Sequence, residues 1–212
     1  MKLYLDTANI EEIREIAGWG ILDGVTTNPS LMAREKGDYK KILKEICEIV
    51  RGPVSGEVIS LDAPGMVKEA RELSRISEYI VVKIPCTVPG LQATKILTGD
   101  GIRVNMTLVF SPNQALLAAN AGATYASPFV GRLDDAGNPG VPVVREILEI
   151  YRNYELKTKV IFASVRHADH VREAARIGSH IATIPCKVFR QLIQHPLTDV
   201  GIDRFLKDWQ SR

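Results

Sequence analysis

Val54-Ser55-Gly56-Glu57-Val58-Ile59-Ser60 and, further on, Tyr79-Ile80-Val81-Val82-Lys83-Ile84 are two short β-rich runs, and what lies between them decides the fold. Asp62 ahead of Pro64 is a helix start signal, and from Met66 to Ile76 apolar residues recur three apart at Val67, Ala70 and Leu73. Strand, helix, strand over this span reads as one parallel βαβ unit. The alternation continues in both directions. Further strand-like runs are Lys2–Asp6, Gly24–Thr27, Arg103–Val109, Ala123–Ser127, Lys159–Ala163 and His180–Ile184. Helical patterns include Tyr39–Val50 (Ile42, Ile46, Ile49) and Val143–Tyr151 (Val144, Ile147, Leu148, Tyr151). Thr7 and Asn9 stand before Ile10–Ile16, Asp38 stands before Tyr39, and Ala121-Gly122 and Ile177-Gly178 mark helix ends.

Eight such units of about 26 residues, with no linker between them, predict an α/β fold: a closed (β/α)₈ TIM barrel spanning 1–212 as a single domain. A doubly wound sheet would call for a Gly-rich loop after an early strand, and no G-x-G-x-x-G occurs. Beyond the eighth strand, Val188–Ile193 and Gly201–Trp209 read as helical. The second piece exceeds what barrel closure requires, so the sequence predicts an extra C-terminal helix whose large apolar residues need a surface to cover.

Composition sets the outer bounds. The 212 residues are 45% hydrophobic and 25% charged, which excludes disordered and fibrous classes. Lys and Arg number 27 against 25 Asp and Glu, so the net charge of +2 offers no electrostatic footprint for nucleic acid or an anionic membrane. Cys47, Cys86 and Cys186 have no C-x-x-C spacing, which suits a reducing, cytoplasmic setting and argues against zinc. Asp6, Asn9, Glu11 and Glu12 interrupt any signal-peptide core. Val104–Gly131 carries no charge, but Asn105, Pro112, Asn113, Gln114, Asn120 and Pro128 punctuate it, making it a poor bilayer span.

In a parallel barrel the chemistry gathers at the C-terminal ends of the strands. Here those ends supply Asp6, Thr26-Thr27-Asn28, Glu57, Lys83, Asn105 with Thr107, Ser127 followed by Arg132, and Ser164 with Arg166. Lys83 is the most telling, because its strand is otherwise apolar. Burial disfavours the ammonium form of a lysine, and the neutral amine is the form that attacks a carbonyl to make a Schiff base. The alternative is a lysine whose stem lines the barrel while its head ion-pairs with Asp6 or Glu57. Those carboxylates are in turn either proton-transfer groups or simple counter-charges to Lys83 or Arg132. Asn105 and Thr107, two apart on one strand face, suit sugar hydroxyls or plain packing. Arg132 and Arg166 suit a phosphate by bidentate bonding, with Ser164 adding a hydroxyl; Arg132 has Asp134 and Asp135 as rival partners. His167 and His170 lack the further ligands of a metal site. Lys187, beyond its strand at a helix start, ranks below Lys83 as a nucleophile.

Taken in order, several segments resemble the small transaldolase family, which includes the fructose-6-phosphate aldolases. They are Leu3-Tyr4-Leu5-Asp6-Thr7-Ala8, Gly24-Val25-Thr26-Thr27-Asn28-Pro29-Ser30, Val82-Lys83-Ile84-Pro85, Val104–Phe110 and Ser127–Asp135. The resemblance implies a class I mechanism with no cofactor or metal, in which Lys83 forms a Schiff base with a ketose phosphate. It implies that Asp6 moves the proton of the hydroxyl beside the breaking C–C bond, and that Glu57 and Thr107 hold a proton-relaying water. Asn28, Asn105 and Ser127 would hold the dihydroxyacetone hydroxyls, and Arg132, Ser164 and Arg166 the phosphate. The aldolase branch has Gln in place of Glu57 and Tyr in place of Phe129, so these positions, with Arg166, point to the transferase branch. The resemblance also implies a homo-oligomeric ring, possibly a decamer.

Overall fold

The computed structural model describes residues 1–211; Arg212 lies outside them. Eight parallel strands close into a barrel in chain order, β1 (Lys2–Asp6), β2 (Gly24–Thr26), β3 (Val54–Glu57), β4 (Ile80–Pro85), β5 (Val104–Val109), β6 (Tyr125–Pro128), β7 (Lys159–Phe162) and β8 (Ile181–Ile184). Closure is made by β1, which pairs with β2 on one side (Asp6 beside Thr26) and with β8 on the other (Leu5 beside Ile184). The expected (β/α)₈ barrel is the observed fold.

Helices α1 (Ile10–Gly18), α2 (Pro29–Met32), α3 (Tyr39–Val50), α4 (Ala63–Ser74), α5 (Val88–Gly99) and α6 (Pro112–Asn120) follow the first five strands. After β6 come α7 (Val130–Asp135) and α8 (Gly140–Asn153), after β7 comes α9 (Ala168–Arg176), and after β8 come α10 (Cys186–Gln191) and α11 (Pro196–Gln210). The start signals act as read: the side chains of Asn9, Asp38 and Asp62 accept from the backbone N–H of Glu12, Lys41 and Gly65, each such cap contributing about 1 kcal/mol. Strand β3 stops earlier than its β-rich sequence suggests. The N–H groups of Ile59 and Ser60 are taken by the Glu69 carboxylate instead of a neighbouring strand.

Two layers of core result. Outside the barrel, residues such as Leu43, Ile46, Ile84 and Met106 pack between strands and helices. Inside it, Tyr4, Val81, Tyr125, Ile161 and Ile181 form a separate apolar plug. Gly24 makes room for that plug, since a Cβ there would lie 2.7 Å from the Tyr4 ring and from the Pro53 carbonyl oxygen. The plug fills the lumen toward the strands' N-terminal ends, so the polar residues above it sit on a solid floor.

Strand β5 is irregular. Its register with β6 shifts between Met106 and Val109, and Leu108 adopts a left-handed φ of 55°. Thr107 and Leu108 of β5 thus stand opposite Ser127 alone of β6, a bulge of the kind that re-aims side chains near barrel rims. The extra C-terminal helix is present as α11; none of its residues is buried, and Leu197, Val200, Phe205 and Leu206 are exposed. Among the described residues no helix is long and apolar enough to cross a membrane.

Candidate active site

Above the apolar plug the lumen turns polar, because most of the strands carry a polar residue near their C-terminal ends. Lys83 sits on β4 between Val82 and Ile84, and only 4% of it is exposed. Its ammonium lies 3.0 Å from Glu57 Oε2 on the adjoining strand β3, where the two residues are register partners. It also donates to the Thr27 carbonyl oxygen at 3.0 Å. Glu57 thus stands as the counter-charge to Lys83. Asp6 accepts a 2.7 Å bond from the Thr26 hydroxyl. Burial pushes its carboxyl above the ordinary aspartate pKa, while Lys83, the Thr26 bond and Arg166 pull the other way.

A second polar chain crosses the lumen. Ser127 Oγ donates to Asn105 Oδ1 at 2.7 Å, and Asn105 Nδ2 donates to Ser55 Oγ at 3.1 Å, all three residues being buried. Asn28 is committed locally, its side chain accepting from Leu31 N–H as the cap of α2. Thr107 is fully buried, and among the described residues its hydroxyl is the buried side-chain polar atom left without a hydrogen-bond partner. An unmade bond at such a position costs about 1–3 kcal/mol.

A cavity of about 260 Å³ opens over this layer at the strands' C-terminal ends. Of the residues singled out from sequence, Lys83, Asp6, Asn28, Ser127, Phe129, Arg132, Ser164 and Arg166 line it. Glu57, Asn105 and Thr107 do not; they form the layer behind the wall, where Glu57 touches Lys83 and Asn105 touches Ser127. A larger depression of about 820 Å³ lies between α8 and the segments that enter β7 and β8, at the opposite barrel end. Barrel chemistry belongs to the C-terminal rim, so the smaller cavity is the candidate site.

The cavity is rimmed by cations. Arg132 stacks on the Phe129 ring (5.1 Å to its centroid), with Lys83 6.0 Å from the same ring. The acids near Arg132 in sequence are engaged elsewhere: Asp134 with His170, and Asp135 with Arg166 at 2.5 Å. Arg34, at the end of α2, also lines the cavity. An anion is the ligand that such a rim favours.

Sequence reading missed Arg34, Ser55 and Thr183. Thr183 lines the cavity and shares a 2.5 Å hydrogen bond with Thr26. A signal for it exists, because the Ile-Pro-Cys of 84–86 recurs at 184–186, and Thr183 precedes the second copy as Lys83 precedes the first. Arg34 and Ser55 leave no comparable mark. Among the described residues there is no group of three or more His, Cys, Asp or Glu placed to hold a metal ion.

Fold and site together define a (β/α)₈ barrel in which a buried, carboxylate-paired lysine faces a cation-rimmed cavity. The profile of the Transaldolase/Fructose-6-phosphate aldolase family matches residues 3–212, and the chain belongs to that family of aldolase-type enzymes. A probable transaldolase of Caldicellulosiruptor saccharolyticus is 58% identical over 212 residues, covering 100% of this chain and 98% of that protein. Probable transaldolases of Petrotoga mobilis (57% identical; 100% and 96% covered) and Methanococcus vannielii (56%; 100% and 98%) are similar over the same extent. Among solved structures, a thiamine phosphate pyrophosphorylase from Pyrococcus furiosus matches with a TM-score of 0.64 at 18% identity, over 90% of this chain and 93% of that one. That likeness concerns the fold alone.

Proposed function

We propose that this protein is a transaldolase that carries a dihydroxyacetone unit from a ketose phosphate to an aldose phosphate through a Schiff base on Lys83. The observation that carries the reading is the Lys83 amine itself, buried yet opening onto a cation-rimmed cavity, with Glu57 at 3.0 Å and Asp6 lining the same cavity. In this reading Lys83 passes its proton to the carboxylate side of the site and attacks the ketose carbonyl, and loss of water gives the imine. Asp6 takes the proton from the C4 hydroxyl as the C3–C4 bond breaks, and the aldose phosphate leaves. The remaining enamine attacks the incoming aldehyde, Asp6 returns the proton to the new alkoxide, and water releases the product ketose. Sedoheptulose 7-phosphate and glyceraldehyde 3-phosphate thereby give erythrose 4-phosphate and fructose 6-phosphate, as in the pentose phosphate pathway.

Glu57 and the unpartnered Thr107 hydroxyl hold the water consumed and released at Lys83. Ser127, held from behind by Asn105, offers a hydroxyl to the dihydroxyacetone end, with Asn28 lining the same cavity. Arg132, Ser164 and Arg166 hold phosphate. Phe129 presents no hydroxyl to the enamine, so the intermediate waits for an aldehyde instead of being protonated; this favours transfer over a fructose-6-phosphate aldolase that releases free dihydroxyacetone. The exposed apolar residues of α11 support a homo-oligomer, a ring and possibly a decamer, and the cysteine pattern supports a cytoplasmic setting. Borohydride reduction in the presence of fructose 6-phosphate tests the chemistry: the three-carbon adduct is expected on the Lys83 peptide. An unmodified peptide after turnover would discard the Schiff base.

A further inference from the structure

The loop from β7 to α9 that bears Ser164 and Arg166 is held in an unusual shape. Ser164 has a φ of 60°, a left-handed conformation that a residue with a Cβ seldom adopts. From the α7 side, Gly131 N–H donates to the Ser164 carbonyl at 3.0 Å. Only glycine permits that approach, since a Cβ at 131 would lie 2.1 Å from the same oxygen and 2.7 Å from Arg166 Cγ. From the α9 side a second clamp closes. His170 Nδ1 accepts the Arg166 backbone N–H at 3.2 Å, and His170 Nε2 lies 3.0 Å from Asp134 Oδ2. Asp134 is itself fixed, its Oδ1 accepting Gly140 N–H at 2.9 Å.

We propose that His170, oriented by Asp134, is a positioning residue for Arg166: the imidazole fixes the backbone from which the guanidinium reaches a substrate phosphate. The proposal rests on the reading of Arg166 as a phosphate ligand. The tautomer follows from the bonds. Nδ1 accepts, so the ring proton is on Nε2 and is donated to Asp134, as the partner of one ring nitrogen fixes the state of the other. The side chain is 8% exposed and meets Phe162 edge-on at 5.9 Å. Burial and the His167 ring, tilted against it with centroids 3.9 Å apart, hold the imidazole below its ordinary pKa, Arg166 acting the same way and Asp134 against it. That balance keeps Nδ1 an acceptor. The guanidinium end, by contrast, is free to exchange. Its partner Asp135 is exposed, and an exposed ion pair is weak, so a phosphate displaces it readily. A fixed base with an exchangeable tip is what a reusable anion grip requires.

The test compares glyceraldehyde 3-phosphate with unphosphorylated glyceraldehyde as acceptors. His170→Phe keeps ring volume but removes the acceptor, and should lower kcat/KM for the phosphorylated acceptor about tenfold through KM, the scale of one hydrogen bond. The unphosphorylated acceptor should change by less than about twofold. His170→Asn, which offers an acceptor near the Nδ1 position, should recover most of the loss. Arg166→Ala should abolish the preference for the phosphorylated acceptor, and His170→Phe should add nothing in that background. If both His170 variants slow both acceptors alike, the residue is merely structural and the proposal is overturned. If Arg166→Ala leaves the phosphate preference intact, the phosphate reading of Arg166 fails and takes the proposal with it.

Discussion

Replacing Lys83 by Met keeps an unbranched side chain of similar volume on β4 and deletes the charge, leaving Glu57 with no cation where it had one at 3.0 Å. The two side chains are 5% and 13% exposed, so solvent screens the pair little. Removing one member of a buried pair costs about 3–5 kcal/mol; with Glu57 at the wetter edge, the lower figure of about 3 kcal/mol is expected. For a chain of this size that lowers Tm by about 6–12 °C. Asp6 adds to the effect, because Lys83 is one of the groups pulling its carboxyl down against burial. Glu57→Gln should also destabilise, by about 1–3 kcal/mol, the amide retaining an acceptor for the amine. In the double variant both charges are gone, and the total loss should fall short of the sum by about 2 kcal/mol. Urea titrations of the four proteins, followed by tryptophan fluorescence and compared at constant m, measure this coupling. Two single losses below about 0.5 kcal/mol that simply add would refute the reasoning, since the pair would then behave as an exposed one.

Three other substitutions follow from the same geometry. The carboxyl of Asp6 is raised above 3.8, so the stability this group contributes is complete below that pH and is lost as pH rises through its folded pKa. Asp6→Asn should therefore raise the urea midpoint at pH 7, with the gain vanishing toward pH 3.8, while turnover is lost; an unchanged midpoint at pH 7 counts against the buried-carboxylate argument. Gly131→Ala drives a Cβ into the Ser164 carbonyl and should cost about 3 kcal/mol, together with a higher KM for phosphorylated substrates; neutral behaviour in calorimetry and kinetics would show the loop to be pliant. Phe129→Tyr should increase free dihydroxyacetone formed from fructose 6-phosphate without an acceptor, and an unchanged rate would remove Phe129 from the account of branch specificity.

Periodicity carried the architecture, because strands and helices in a barrel repeat under the same two constraints eight times over. Asn9, Asp38 and Asp62 were readable as caps since an N-cap is a local device, satisfied by an N–H three residues away. Lys83 was readable because a charge in an apolar strand has few uses. What escaped depends on separation in the chain. The early end of β3 is set by Glu69 reaching back to Ile59 and Ser60. Arg132 lies near two acids in sequence, yet it stacks on Phe129 while those acids face α9 and its preceding loop. His170 carries no signal in the sequence beyond a weak metal spacing, because its partners, Asp134 and the Arg166 backbone, meet it only once two rim loops are folded together.

The bulge in β5 has a bearing on how this lumen tolerates change. Below it, Val104 and Met106 face the helices; past it, that outward duty passes to Val109, an odd-numbered position. Thr107 looks inward in step with Asn105, and Leu108 then acts as a phase slip that lets Val109 look outward. A regular strand that kept all six residues would turn Val109 toward the lumen and leave the helix layer a hole where a valine had been, whereas excising the leucine would leave Val109 on its present side.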